Sequence, residues 1–126
     1  MKLIRIANLE EDSVEHDTQD SLESFTKKWE EKGLSVNIYE TRGYWSLSEI
    51  VVPKIQRNQG TGTEFMNELI GLADKLGKTI ILTPDTSFGG SSVNRLKKFY
   101  KRFGFVENKG KNKDFMFTDS MYRNPM

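Results

Sequence analysis

The chain has 126 residues and a formal net charge of +1. Its length fits one domain, so we predict a single domain over residues 1–126. It has no cysteine, which excludes disulfide bonds, thiolate metal sites and cysteine nucleophiles. The one histidine, His16, lies among scattered acidic residues, and we expect no metal site. No apolar run approaches the roughly 20 residues that cross a bilayer, so we expect a cytoplasmic protein with no membrane partner.

Alternation and helical spacing of the apolar residues predict the elements. In chain order, they are a strand over 2–7, a helix carrying Leu22, Phe25 and Trp29, strands over 34–41 and 44–52, a loop over 53–62, a helix ended by Gly77, a strand over 79–82, a Gly/Ser loop over 85–92, a helix over 93–103, a strand beginning at 105 and a last strand over 115–123. Strands and helices therefore alternate along most of the chain. The order predicts an α/β fold with a mixed sheet flanked by helices.

The most informative unit is a strand, a loop and a helix. The strand ends in Val51-Val52, the loop reads PKIQRNQGTG, and a long amphipathic helix follows. A helix N-terminus presents free N–H groups and the positive end of the helix dipole. Gly60 and Gly62 allow a ligand to approach the backbone closely. Together these features predict an anion site suited to phosphate or pyrophosphate. The alternative is a strand-to-helix turn that holds no ligand.

This loop resembles a known signature. The run Arg57-Asn58-Gln59-Gly60-Thr61-Gly62 resembles the R/Q-x-x-G-x-G/A pattern of the GNAT acetyltransferases. About forty residues later, the run FYKRFGF, from Phe99 to Phe105, resembles the second signature of that family. The resemblance covers about residues 45–123. Neither the nucleoside-triphosphate loop GxxxxGK[ST] nor the dinucleotide pattern GxGxxG occurs.

The resemblance implies a GNAT-type mixed sheet whose two central strands splay apart. It implies that acetyl-CoA is the acyl donor and that its pantetheine arm pairs with the strand backbone of Ile50, Val51 and Val52. The pyrophosphate would then meet the N–H groups of the loop, formed by Arg57, Asn58, Gln59, Gly60, Thr61 and Gly62. The acceptor would be a primary amine, on a small molecule or a protein, that the sequence does not identify.

Two residues are candidates for the chemistry. Tyr100 occupies the tyrosine position of the second signature, which implies that it donates a proton to the leaving thiolate; the alternative is a core tyrosine on a helix stripe. Glu49 precedes Arg57 by eight residues, a spacing at which several GNAT enzymes carry a carboxylate, so it is the candidate base. The alternative for Glu49 is an ordinary solvent-facing strand residue.

One position departs from the family pattern. Many members have an asparagine seven residues before the tyrosine, whereas this chain has Val93 there and Asn94 one residue later. Asn94 stays a candidate for cofactor binding, although one residue turns a helix by about 100°. This departure leaves a second hypothesis open, a non-catalytic interaction protein that keeps the fold and binds CoA or a protein partner.

Basic residues concentrate between residues 95 and 113, with eight Lys and Arg against one acidic residue, Glu107. Such a stretch attracts phosphates or nucleic acid, but it is equally typical of a solvated helix face. No RNA or DNA signature accompanies the charge, so we do not expect a nucleic-acid partner. The sequence leaves a homodimer open.

Overall fold

The computed structural model describes residues 20–57, 59–85 and 92–126. The helices are α1 (20–31), α2 (Thr61–Leu76) and α3 (Val93–Lys101), and the strands are β1 (Ser35–Thr41), β2 (Tyr44–Val51), β3 (Ile80–Leu82), β4 (Val106–Glu107) and β5 (Met121–Arg123). Short 3-10 turns lie at Lys54–Gln56 and Gly110–Asn112. The strand predicted over 2–7 lies outside the described residues. None of the described helices is long and apolar enough to cross a membrane.

The five strands form one mixed sheet in the order β1-β2-β3-β5-β4. The β2–β3 pair is parallel, and the other three pairs are antiparallel. The register joins residues 45–47 of β2 to residues 80–82 of β3. Strand β2 then continues to Val51, beyond the end of that pairing. Pairing with β3 therefore covers only the first part of β2, and residues 48–51 of β2 have no partner in β3.

A β-bulge at Ser48 sets the faces of β2. The register pairs Asn37 with Glu49 but Ile38 with Leu47, so Ser48 has no partner residue, and its Oγ donates to the Asn37 carbonyl at 3.1 Å. A bulge inserts one residue and shifts the alternation of side chains. As a result, Leu47 and Ile50 lie on the same face of β2, and Glu49 lies on the opposite face.

The main core lies between one face of the sheet and the helices. It includes apolar residues of α1, α2, α3 and four strands, with Trp29, Trp45, Phe65, Leu69, Ile80 and Met121 among the most deeply buried. The rings of Trp29 and Phe65 meet edge-on at 5.5 Å between centroids and join α1 to α2. On the other face of the sheet, Phe117 packs between Tyr44 and Tyr122, at 5.3 Å from each ring centroid.

The last strand is shorter than the sequence predicts. The prediction was a strand over 115–123, but only Met121–Arg123 pairs in the sheet. The reason is the buried side chain of Asn108. Its Nδ2 donates to the carbonyls of Phe117 and Asp119, and its Oδ1 accepts from the amide of Asp114 at 2.7 Å. These backbone groups are satisfied by a side chain, so the segment folds as a loop and not as a ladder.

Candidate functional site

The loop after β2 is held by its own side chains. Arg57 is exposed, and its Nε donates to the carbonyl of Val52 at 3.0 Å. Gln56 Nε2 donates to the Lys32 carbonyl at 2.8 Å, which ties the loop to the end of α1. Gln59 Nε2 donates to the Ile55 carbonyl at 3.1 Å. Three side chains of the segment thus bind carbonyls and leave the amide groups of the following turn for other partners. Asn58 lies outside the described residues.

Helix α2 begins earlier than the sequence predicts. The prediction assigned residues 53–62 to a loop, but Thr61 and Gly62 already lie in the helix. Gly60 is the N-cap, in the left-handed conformation at φ 80°, and no side chain caps the helix. The Gly60 carbonyl accepts from the Glu64 amide at 2.9 Å. The amides of Thr61, Gly62 and Thr63 therefore form the first turn, where a helix offers no carbonyl to its own N–H groups.

The two sequence signatures meet at Gly62. A Cβ on this glycine would lie 3.6 Å from Cζ of Phe99 and 3.8 Å from Cγ2 of Val52. Phe99 belongs to the second signature, Gly62 to the first, and Val52 is one of the residues predicted to pair with pantetheine, although the observed strand ends one residue earlier. The sequence placed these residues in one site only by family resemblance. The fold brings them together, because Phe99 of α3 and Val52 after β2 both face the first turn of α2 at Gly62.

Tyr100 lies in the core beside this junction. It is 7% exposed, and its ring meets those of Phe99 and Phe105 at 5.3 and 5.7 Å between centroids. Burial raises the pKa of its hydroxyl to about 12, because the charged phenolate loses hydration. The hydroxyl is therefore protonated at neutral pH. The core position and the donor role are compatible: the ring packs, and the O–H stays available for donation.

The candidate base lies apart from the candidate donor. Glu49 is half-buried and pairs with Asn37 on the sheet face opposite to Ile50. Ile50 and Val52 pack against the core cluster that contains Tyr100. Glu49 and Tyr100 thus lie on opposite sides of β2, and an acceptor would have to approach Glu49 from the face that the helices do not cover.

Asn94 does not join the site in this arrangement. It is exposed in the first turn of α3, where Ser92 Oγ accepts from the Arg95 amide at 3.2 Å and caps the helix. Tyr100 follows six residues later, about 240° around the helix. The shift of the asparagine from seven to six residues before the tyrosine therefore places Asn94 and Tyr100 on different faces of α3.

Part of the basic stretch has a structural partner. Glu107 on β4 binds Lys97 at 3.0 Å, Lys101 at 3.1 Å and Lys109 at 3.6 Å. Hydrogen bonds from Lys97 and then Lys101 lower the pKa of Glu107 to about 2. The signal in the sequence was the four-residue spacing of Lys97 and Lys101, which places both ammonium groups on one side of α3. These three lysines bind the edge strand and are less available to an external anion.

The sequence analysis also missed an ion pair between a buried arginine and a half-buried aspartate. Arg123 is 4% exposed and binds Asp74 through two bonds, 2.6 Å from Nη1 to Oδ1 and 3.1 Å from Nη2 to Oδ2. Its Nε donates to the Phe103 carbonyl at 2.6 Å. The guanidinium holds the pKa of Asp74 below its usual value. One side chain thereby joins β5, α2 and the end of α3, behind the candidate site.

No protein-family model matches the chain, and no curated protein matches it. Among solved structures, the chain is similar to a putative acetyltransferase from the GNAT family of Bacteroides thetaiotaomicron, with 17% identity and a TM-score of 0.49 over 72% of this chain and 54% of that one. It is also similar to Ard1 from Thermoplasma volcanium, with 19% identity and a TM-score of 0.48 over 74% and 62% of the two chains.

A third similar structure is a mutant of the toxin AtaT bound to the C-terminus of the antitoxin AtaR and to acetyl-CoA, with 15% identity and a TM-score of 0.39 over 72% and 55% of the chains. The present chain spans only 54% to 62% of the length of these structures. The strand order and the mixture of parallel and antiparallel pairs confirm the predicted α/β fold class, a mixed sheet flanked by helices.

Proposed function

We propose that this chain transfers an acetyl group from acetyl-CoA to a primary amine. The observation that carries the proposal is the meeting of the two signatures at Gly62, beside the stretch of β2 that has left β3. The backbone from Ile50 to Val52, at and just after the end of β2, has no partner in β3 and offers its polar groups to an extended pantetheine arm. The first-turn amides of α2, together with Arg57, suit the pyrophosphate that ends this arm.

Acetyl-CoA supplies an activated thioester, and the residues of this chain would bind it and handle protons. The amine nitrogen attacks the carbonyl carbon, a C–N bond forms, and the C–S bond breaks to give amide and thiolate. An amine with a pKa near 10.4 is mostly protonated at neutral pH, so a base must remove protons as attack develops. Glu49, directly or through water, is the proposed base from the open face of β2.

Tyr100 acts on the leaving sulfur as a hydrogen-bond donor. An ordinary thiol has a pKa near 8.5, and a phenol with a pKa of about 12 is a weaker acid by about 3.5 units, roughly 5 kcal/mol. Full transfer of the phenol proton to a hydrated thiolate is therefore unfavourable. Donation of a hydrogen bond stabilises the developing negative charge without that transfer, and the proton released by the amine neutralises the thiolate.

Thiol release tests the proposal. Acetyl-CoA and the wild-type protein are incubated with a panel of primary amines, including peptides with free N-termini and lysine side chains. We expect turnover with at least one class, and Tyr100→Phe should lower kcat by about 100-fold with an unchanged dissociation constant for CoA. Tyr122→Phe is the control, because it also removes a largely buried hydroxyl, which binds the Asn112 carbonyl away from the site. Equal turnover of wild type and Tyr100→Phe removes Tyr100 from the mechanism.

The second candidate is a CoA-binding protein without turnover. Two observations favour it: Asn94 faces away from Tyr100, and Glu49 lies on the other side of β2. Binding of CoA with no thiol release across the whole amine panel supports this alternative. Robust turnover with any acceptor rejects it.

A further inference from the structure

Arg102 is an exposed cation that the fold holds in one place. It is the C-cap of α3, and its guanidinium carbon lies 5.9 Å from the ring centroid of Phe99 and 5.8 Å from that of Phe103. Cations near aromatic faces are attracted by the ring quadrupole, and Arg stacks on such rings more often than Lys. These two contacts favour a position of the guanidinium beside the rings of Phe99 and Phe103.

The position of Arg102 relative to the cofactor loop follows from Phe99. The same phenylalanine that contacts Arg102 also faces Gly62 in the first turn of α2. One aromatic ring thus separates the guanidinium from the amides proposed to bind the pyrophosphate. Arg102 lies at the outer, solvent side of that junction, since it is exposed while its neighbour Phe103 is buried.

Arg102 also differs from the lysines around it. Lys97, Lys101 and Lys109 bind Glu107. In the described ranges 20–57, 59–85 and 92–126, Arg102 forms no ion pair and keeps its charge for an external anion. A structural explanation exists, because a cation at a helix C-terminus stabilises the helix dipole. That explanation predicts an effect on stability and none on the choice between ligands.

We propose that Arg102 binds the 3′-phosphate of coenzyme A and so makes the site selective for the phosphorylated nucleotide; this rests on the proposed function. Coenzyme A carries this phosphate on the ribose of its nucleotide, separated in the molecule from the pantetheine arm by the pyrophosphate. A guanidinium presents several N–H donors to a phosphate in a fixed plane. Phe99 positions Arg102, and the amides of α2 bind the pyrophosphate, so two separate groups recognise two separate phosphate positions.

Dephospho-CoA, which lacks only the 3′-phosphate, isolates this interaction. Calorimetric dissociation constants are measured for CoA and dephospho-CoA with four proteins: wild type, Arg102→Gln, Arg102→Lys and Lys113→Gln. Wild type should bind CoA about tenfold more tightly than dephospho-CoA. Arg102→Gln should reduce this ratio to about one by weakening CoA alone, and Arg102→Lys should restore part of it. Lys113 is the matched control, since it too is an exposed cation near a ring, 5.6 Å from the centroid of Phe115.

The outcomes separate this inference from the function on which it rests. If wild type binds CoA and Arg102→Gln keeps the wild-type ratio, Arg102 does not recognise the 3′-phosphate, and the proposed function survives. If Lys113→Gln lowers the preference for CoA over dephospho-CoA as much as Arg102→Gln does, the preference comes from the overall positive charge of the protein. The inference about Arg102 is then wrong. If wild type binds neither ligand at millimolar concentration, the proposed function fails and takes this inference with it. Circular dichroism of each variant checks that it is folded.

Discussion

A glycine in the left-handed conformation flanks each end of helix α2, Gly60 at the N-terminus and Gly77 at the C-terminus. The two ends are nevertheless built differently. At the C-terminal end, the amides of Gly77 and Lys78 bond back to carbonyls of the last turn, and Asp74 binds Arg123 and the Met126 amide. At the N-terminal end, Gly60 has no side chain that could cap the helix, and Gly62 adds no side chain to the first turn of α2. One end is closed by hydrogen bonds within the chain, and the other has no side-chain cap.

The difference begins with the N-cap residue of each helix. Natural helices usually begin with Ser, Thr, Asp or Asn, because such a cap is worth about 1 kcal/mol. Helix α3 follows that rule through Ser92, whereas α2 does not. A glycine N-cap is only a few tenths of a kcal/mol less stable than these residues, so the amides at the start of α2 lack a side-chain partner at small cost.

The largest expected effect concerns the closed end. Asp74→Ala removes the carboxylate and leaves the guanidinium of Arg123 buried without its partner, which should destabilise the protein by about 3–5 kcal/mol. Chemical denaturation measures the change. Glu68→Ala is the control, because it breaks the exposed Lys28–Glu68 pair and should cost less than about 1 kcal/mol. Equal losses in the two variants would show that the Asp74–Arg123 pair stabilises the protein no more than an exposed surface pair does.

The next effect concerns the buried side chain of Tyr100, the neighbour in sequence of Phe99, which faces the N-terminal end of α2. The pKa of Tyr100 is about 12 in the folded protein against 10.0 for an ordinary tyrosine. Because folding raises the pKa of Tyr100, the contribution of its neutral hydroxyl to the free energy of unfolding is fully present below pH 10. This contribution is lost as the pH rises from 10 to 12. The free energy of unfolding of wild type should therefore fall relative to Tyr100→Phe by about 3 kcal/mol across that window. A constant difference between the two proteins would mean that the hydroxyl is hydrated.

The smallest expected effect separates two glycines of α2. Gly60→Ala forces a side chain into the left-handed conformation and should cost about 1 kcal/mol, although nothing lies within 4 Å of the new Cβ. Gly71→Ala lies in the exposed helix interior with the same open surroundings and should stabilise by about 0.5–1 kcal/mol. Thermal unfolding of both variants gives the signs. Two changes of the same sign would contradict the conformation assigned to Gly60.

The sequence predicted well those elements whose signal is local. Helix α1 follows from the spacing of Leu22, Phe25 and Trp29, and the loop between β2 and α2 follows from Pro53 and the paired glycines. Periodicity and turn residues act within one or two turns of the chain, so they can be read without knowing the fold.

The features that the sequence did not predict are long-range. Arg123 and Asp74 lie 49 positions apart, and Asn108 captures backbone groups up to 11 positions away. The bulge at Ser48 depends on the register with β1, which no pattern within β2 reveals. For the site, the motifs identified the loop and Tyr100, but the contact of Gly62 with Phe99 and the opposite faces of Glu49 and Tyr100 required the fold.

The most direct test of the account compares the amide groups at the two ends of α2. Acetyl-CoA is titrated into ¹⁵N-labelled protein, and the amide resonances are followed by NMR. The account predicts saturable shifts of Gly60, Thr61 and Gly62, accompanied by those of Ile50 to Val52, while Gly77 and Lys78 stay unchanged. Saturation without shifts at the N-terminal end, or no saturable shift at millimolar acetyl-CoA, would contradict the claim that this uncapped helix start binds the cofactor.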